Sequence, residues 1–83
     1  MPYFVWAPQA RAAIGNIEQP QAREILLALT QYARSGQGDI VPMQGQPARR
    51  IRLRCGDYRV IFRKSNDGTF QILKVGHRRE IYR

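Results

Sequence analysis

The residues best equipped for chemistry in this chain are arginines. Arg50, Arg52 and Arg54 alternate with Ile51, Leu53 and Cys55 directly after Arg49. In an extended strand this spacing puts three guanidiniums on one face and three apolar groups on the other. Arg59 follows in the next alternating run, and His77, Arg78 and Arg79 form a second basic cluster ahead of Arg83. A guanidinium is a planar fork that grips phosphate oxygens two at a time. It stays protonated, so it stabilises negative charge developing on phosphorus but abstracts no proton. Histidine is the side chain that titrates nearest neutrality, which makes His77 the acid/base candidate. A structural role beside Gly76 is the alternative. Tyr82 sits among Arg78, Arg79, Glu80 and Arg83, where its ring either stacks on a nucleobase or belongs to the core.

The charge distribution points to the same half of the molecule. The net charge is +8. Residues 1–48 are neutral, with Arg11, Arg23 and Arg34 against Glu18, Glu24 and Asp39. Residues 49–83 hold eleven Lys or Arg, nine of them Arg, against Asp57, Asp67 and Glu80, which accounts for the whole excess. A solvated face that discourages edge aggregation is the simpler account of a charged strand. Like charges on neighbouring strands repel, however, and no acid among residues 49–54 offsets them, so a phosphate-bearing partner is the stronger reading. A basic patch also suits an acidic protein.

Several function classes are excluded or disfavoured. There is no Gly-rich phosphate loop, no Ser/His/Asp set and no spaced carboxylate pair. One cysteine, Cys55, and one histidine do not make the usual Cys/His zinc site, so neither metal nor cofactor is expected. The longest apolar run, Ile25 to Leu29, is far short of the roughly 20 residues that span a bilayer. With no secretory signal pattern at the N-terminus, a cytoplasmic location without a membrane partner is expected.

The elements that must position these residues follow from pattern. The 83 residues suit one domain, 1–83. Tyr3 to Trp6 predicts a strand and Pro8 the first turn of a helix. Ala10, Ala13, Ile14 and Ile17 carry that helix, which ends near 16–19. Ala22, Ile25, Leu26, Leu29 and Ala33 carry a second, stopped at Ser35 and Gly36. Two antiparallel helices with a short turn are expected. Residues 36–48, with three glycines and two prolines, predict a loop. Strands are predicted at 49–55 and 58–64, joined by a Gly56–Asp57 hairpin turn of the type that takes Gly first. After a turn at Asn66–Gly68, 70–75 gives another strand, and 76–83 a bend and a short last strand. Tyr58, Trp6 and Cys55 read as core. The order predicts an α+β domain, an N-terminal strand and helical hairpin packed on a mostly antiparallel sheet.

The stretches Arg52-Leu53-Arg54-Cys55-Gly56-Asp57-Tyr58-Arg59 and Val75-Gly76-His77-Arg78-Arg79-Glu80-Ile81-Tyr82-Arg83 resemble two hallmark segments of RelE-type toxins in the RelE/ParE superfamily. The resemblance extends to the element order, with a Gly-rich connector ending near Gln44-Gly45. It implies a RelE-like fold and metal-independent, ribosome-dependent cleavage of messenger RNA, in which the ribose 2′-OH attacks the adjacent phosphate. It also implies three partners: a cognate antitoxin, the ribosome and mRNA. By similarity Arg52, Arg59, Arg78 and Tyr82 are catalytic positions and Arg50 matches a further strand position of the prototype; His77 joins the catalytic candidates, and Arg49, Arg50, Arg54, Arg79 and Arg83 are the candidates for contacting RNA. Arg50 and Arg52 stand where the prototype has lysines, which leaves its general base unmatched; His77 is the substitute. The ParE branch shares the fold and poisons DNA gyrase without catalysis, and an inactive member would bind RNA or antitoxin without cutting. The Gly-His-Arg-Arg run and terminal Tyr favour the RNase branch.

Overall fold

A computed structural model describes residues 4–43 and 50–81. Strand β1 (Phe4–Trp6) leads through Ala7 into helix α1 (Pro8–Asn16), and two residues separate it from helix α2 (Gln19–Ser35). Proline stands at the start of both helices, where its missing N–H costs nothing. Helix α2 ends where Gly36 adopts φ 75° and donates its N–H to the Tyr32 carbonyl, a left-handed cap that glycine takes without a Cβ penalty. Strands β2 (Ile40–Pro42), β3 (Arg50–Cys55), β4 (Tyr58–Lys64) and β5 (Phe70–His77) complete an α+β fold. The sheet order is β1-β5-β4-β3-β2. Of these strands only β1 pairs parallel, against β5.

Helix α1 packs on β5 and α2 on β3. Between helices and sheet lie Ala10, Ile25, Leu29, Leu53, Val60, Phe62, Phe70, Ile72 and Val75. Tyr32 meets Phe62 edge to face at 5.4 Å, and Phe62 meets Phe70 at 6.0 Å. Trp6, Tyr58 and Cys55 pack against this core from its margin, in keeping with their core reading.

The hairpin turn has Gly56 at φ 58° and no positive φ at Asp57, as a type with Gly first requires. Two predicted segments differ. The composition of residues 36–48 predicts loop throughout, but the β-branched Ile40 and Val41 pair with Leu53 and Arg52. Pro42 is accommodated because β2 is the sheet's edge. The short strand expected after residue 76 is absent through Ile81: β5 runs on to His77, and residues 78–81 form a turn. Tyr3, the connector end at Gln44-Gly45, Arg49, Tyr82 and Arg83 lie outside the described residues.

β5 is longer than its partner β1, and a side chain completes the ladder. Beyond the Ala7 N–H bond to the Ile72 carbonyl, the Gln9 amide accepts from the Val75 N–H at 3.3 Å and donates to the Val75 carbonyl at 3.4 Å. One amide thus takes both roles of a neighbouring peptide group, sparing two backbone groups the cost of going unpaired. Gln9→Ala is expected to lower stability by about 1 kcal/mol and to speed hydrogen exchange at the Val75 amide selectively. Unchanged protection there would mean that the amide does not complete the ladder.

Candidate nucleic-acid interface

The sheet face turned away from the helices carries the arginines. On β3 and β4 the register sets Arg50 opposite Arg63, Arg52 opposite Ile61 and Arg54 opposite Arg59. Since Leu53, Val60 and Phe62 alternate with these and are buried in the core, the arginine row must point outward. Arg52, Arg54, Arg59, Arg78 and Arg79 line one shallow cleft of about 420 Å³. Among the described residues, no carboxylate-bearing side chain lines it.

Each arginine is held differently. The Arg59 guanidinium donates to the Gly56 and Tyr58 carbonyls, both at 2.8 Å, which fixes it beside the hairpin turn. Arg54 pairs with Asp39 at 2.9 Å, and Arg78 lies 3.7 Å from Asp57. Both pairs are about half exposed, so each contributes at most about 1 kcal/mol and yields readily to a phosphate. Arg79 and Arg78 arrive on the turn after β5, whose Arg78 N–H donates to the Asp57 carbonyl at 2.7 Å.

Two basic residues outside the sequence-predicted set share this face. Arg63 donates to the Gln71 side chain. Lys74 stands opposite Ile61 and donates to the Ile81 carbonyl at 3.3 Å. The position of Arg63 was readable from its alternation with Val60 and Phe62, whereas the placement of Lys74 depends on a bulge. Ile61, between Arg52 and Lys74 on the ladder, is only 5% exposed despite facing outward.

His77 is not brought into the arginine cleft. Between Ile61–Lys74 and Phe62–Ile72 the ladder skips Leu73, a bulge that inverts the alternation of β5 beyond it. Val75 and His77 therefore face the helices, and Gly76 faces the arginine side. His77 pairs with Tyr58, their rings 5.7 Å apart edge to face. It lines a separate cleft of about 570 Å³ with Glu18, Gln21, Glu24 and Cys55 among its walls. His77 Nδ1 accepts the Arg79 N–H at 3.2 Å, so the neutral ring carries its proton on Nε2. In that cleft burial, and then the charge of Glu24, push the Cys55 thiol up, away from a reactive thiolate.

Of the sequence-predicted site residues, Arg52, Arg54, Arg59, Arg78 and Arg79 come together, and Arg50 lies in the same row. Arg49, Tyr82 and Arg83 are beyond the described residues. Among those residues no group of His, Cys, Asp and Glu could hold a metal ion, and no helix is long and apolar enough to cross a membrane.

Comparison with known proteins places this geometry. No curated protein matches the sequence. The fold is similar to that of a chain in the RelB-RelE antitoxin-toxin complex from Methanococcus jannaschii, at TM-score 0.74 and 22% identity over 94% of each chain. It is likewise similar to the RelBE2 toxin-antitoxin complex from Mycobacterium tuberculosis, at TM-score 0.74 and 21% identity, over 90% of this chain and 95% of that one. The E. coli RelBE complex matches at TM-score 0.71 and 15% identity, over 90% and 94%. The family described as the ParE toxin of type II toxin-antitoxin systems matches residues 4–82, nearly the whole chain. This chain is therefore a ParE-family toxin of the RelE/ParE superfamily.

Proposed function

We propose that this toxin is a ribosome-dependent mRNA endonuclease. The observation that carries the reading is the cleft of five arginines with no carboxylate in its described lining. In the reaction the ribose O2′ bonds to the adjacent phosphorus, the P–O5′ bond breaks, and a proton passes from the 2′-OH side to the leaving oxygen. Charge accumulates on the non-bridging oxygens meanwhile, and oriented guanidiniums stabilise it most as it develops. Arg59 is fixed by two carbonyls and so is preorganised for this work. Arg52 and Arg78 join it on the scissile phosphate; Arg49, Arg50, Arg54, Arg79 and Arg83 contact flanking RNA, and Tyr82 stacks on a base. His77 has two roles open to it. Holding the turn is supported by the Nδ1 bond; proton transfer requires that bond to break.

Primer extension on a translated message during induction tests the activity. Cuts that require the ribosome are expected. The match to the ParE family keeps a second reading, the gyrase inhibitor without catalysis that the ParE branch implies; intact message with gyrase-trapped DNA breaks would establish it instead.

The partner that restrains the toxin is, on this reading, a cognate antitoxin, as in the solved toxin-antitoxin complexes that share the fold. A charge of +8 calls for an acidic segment over the arginine face. Affinity of the purified complex is expected to fall steeply with salt. Binding indifferent to salt would mean that apolar contacts dominate.

A further inference from the structure

We propose that Gly76 and Ile81 form a seat that positions Arg78 and Arg79 at the arginine cleft. The inference rests on reading that cleft as a phosphate site. Five guanidiniums in one cleft repel one another, so the turn that brings two of them needs an anchor beyond the Arg78 N–H bond to the Asp57 carbonyl and the Arg79 N–H bond to His77 Nδ1. Its ion pair, Arg78 with Asp57 at 3.7 Å and half exposed, is a weak one. Ile81 is the buried member of the turn, 3% exposed, while Arg78, Arg79 and Glu80 are all exposed.

The surface that receives it is glycine. Gly76 is the ladder partner of Arg59, and the bulge at Leu73 directs it to the arginine side of the sheet. A Cβ built on Gly76 would stand 3.1 Å from Ile81 Cδ1, closer than an ordinary van der Waals contact, and 3.7 Å from Ile81 Cβ. The absent side chain is what lets Ile81 settle onto the strand next to Arg59. The His77 carbonyl accepts from both Glu80 and Ile81 N–H groups, at 2.8 and 3.0 Å, so the short turn translates the seating of Ile81 into the placement of Arg78 and Arg79. Gly76 and Ile81 are thus positioning residues, remote in chemistry from any phosphate.

The test measures the affinity of the whole chain for a labelled polyuridine oligomer against salt concentration. Each phosphate contact on a single strand contributes a slope of about 0.7 in log affinity against log salt. The R78A/R79A variant should flatten the slope by about 1.4. Ile81→Ala should flatten it comparably with both arginines present, and should add nothing when combined with R78A/R79A. Gly76→Ala should weaken binding in the same way. Ile81→Val removes the Cδ1 atom that the new methyl would meet, so the G76A/I81V double variant should recover most of that loss. A general loss of folding would not be repaired by deleting one methyl group. Wild-type slopes in I81A and G76A, or no recovery in G76A/I81V, would overturn the seat while leaving the cleft intact. If R78A/R79A itself binds as the wild type does, the phosphate reading of these arginines fails instead.

Discussion

Arg59→Ala is expected to lower the rate of ribosome-dependent message cleavage by about 100-fold or more, with a much smaller loss of ribosome binding. The reason is its fixation. Two carbonyl acceptors hold the guanidinium where a phosphate would approach, so little reorganisation is needed as charge develops. Lysine at this position retains the charge but cannot make both carbonyl bonds and a bidentate phosphate contact, so Arg59→Lys should recover only a minor part of the rate. Arg52→Ala and Arg78→Ala should behave like Arg59→Ala, the latter less severely, because Arg78 is half exposed and shared with Asp57. Single-turnover cleavage and a separate ribosome-binding measurement distinguish the cases. If all three variants lose only affinity, the arginines are anchors and a binding role replaces catalysis. His77→Gln belongs in the same series: a large rate loss at unchanged melting temperature would assign it proton transfer, and a normal rate would leave it with the turn.

The second large effect concerns the scaffold. Phe62 is fully buried on the central strand and touches the rings of both Tyr32 and Phe70. Phe62→Ala removes the largest fully buried side chain among the described residues, and truncations of this kind cost about 3–5 kcal/mol. Domains have only about 5–15 kcal/mol in total, and a chain this short sits toward the low end. A fall in melting temperature of roughly 15 °C or more follows. Thermal unfolding followed by circular dichroism checks it, and a shift of only a few degrees would mean that the helices do not seal this part of the sheet.

Two of the turn residues of the C-terminal half, Asp57 and Asp67, tie the turns together. The Thr69 amide donates to Asp67 and holds its carboxyl below the usual range, which ties the β4–β5 turn. Asp57 supplies its carbonyl to Arg78 and so joins the β3–β4 turn to the turn after β5. The two ends of the arginine cleft are connected through it.

Local chemistry alone determined much of this protein. The alternation after Arg49 fixes which side chains of β3 face the core, because a strand repeats every two residues. Gly36 and Gly56 mark a helix end and a hairpin turn because each takes a positive φ that other residues resist. The confinement of the charge excess to residues 49–83 singles out the half that forms the arginine cleft. What adjacency in sequence could not convey is which face each basic residue at the end of β5 occupies. His77, Arg78 and Arg79 are consecutive, yet the histidine belongs to the helix side and the arginines to the opposite cleft. For the histidine the cause is one extra residue, Leu73, in the pairing of β5 with β4, while the turn after β5 carries the two arginines to the other side. A bulge is settled by how two strands fit together, and it inverts the side chains that follow it in the strand. The same nonlocal fit pairs β1 with β5 in parallel, draws Ile40–Pro42 onto the sheet edge and turns Gly76 toward Ile81. Residue types set what the arginines can do to a phosphate; strand pairing across the whole chain decides which of them meet.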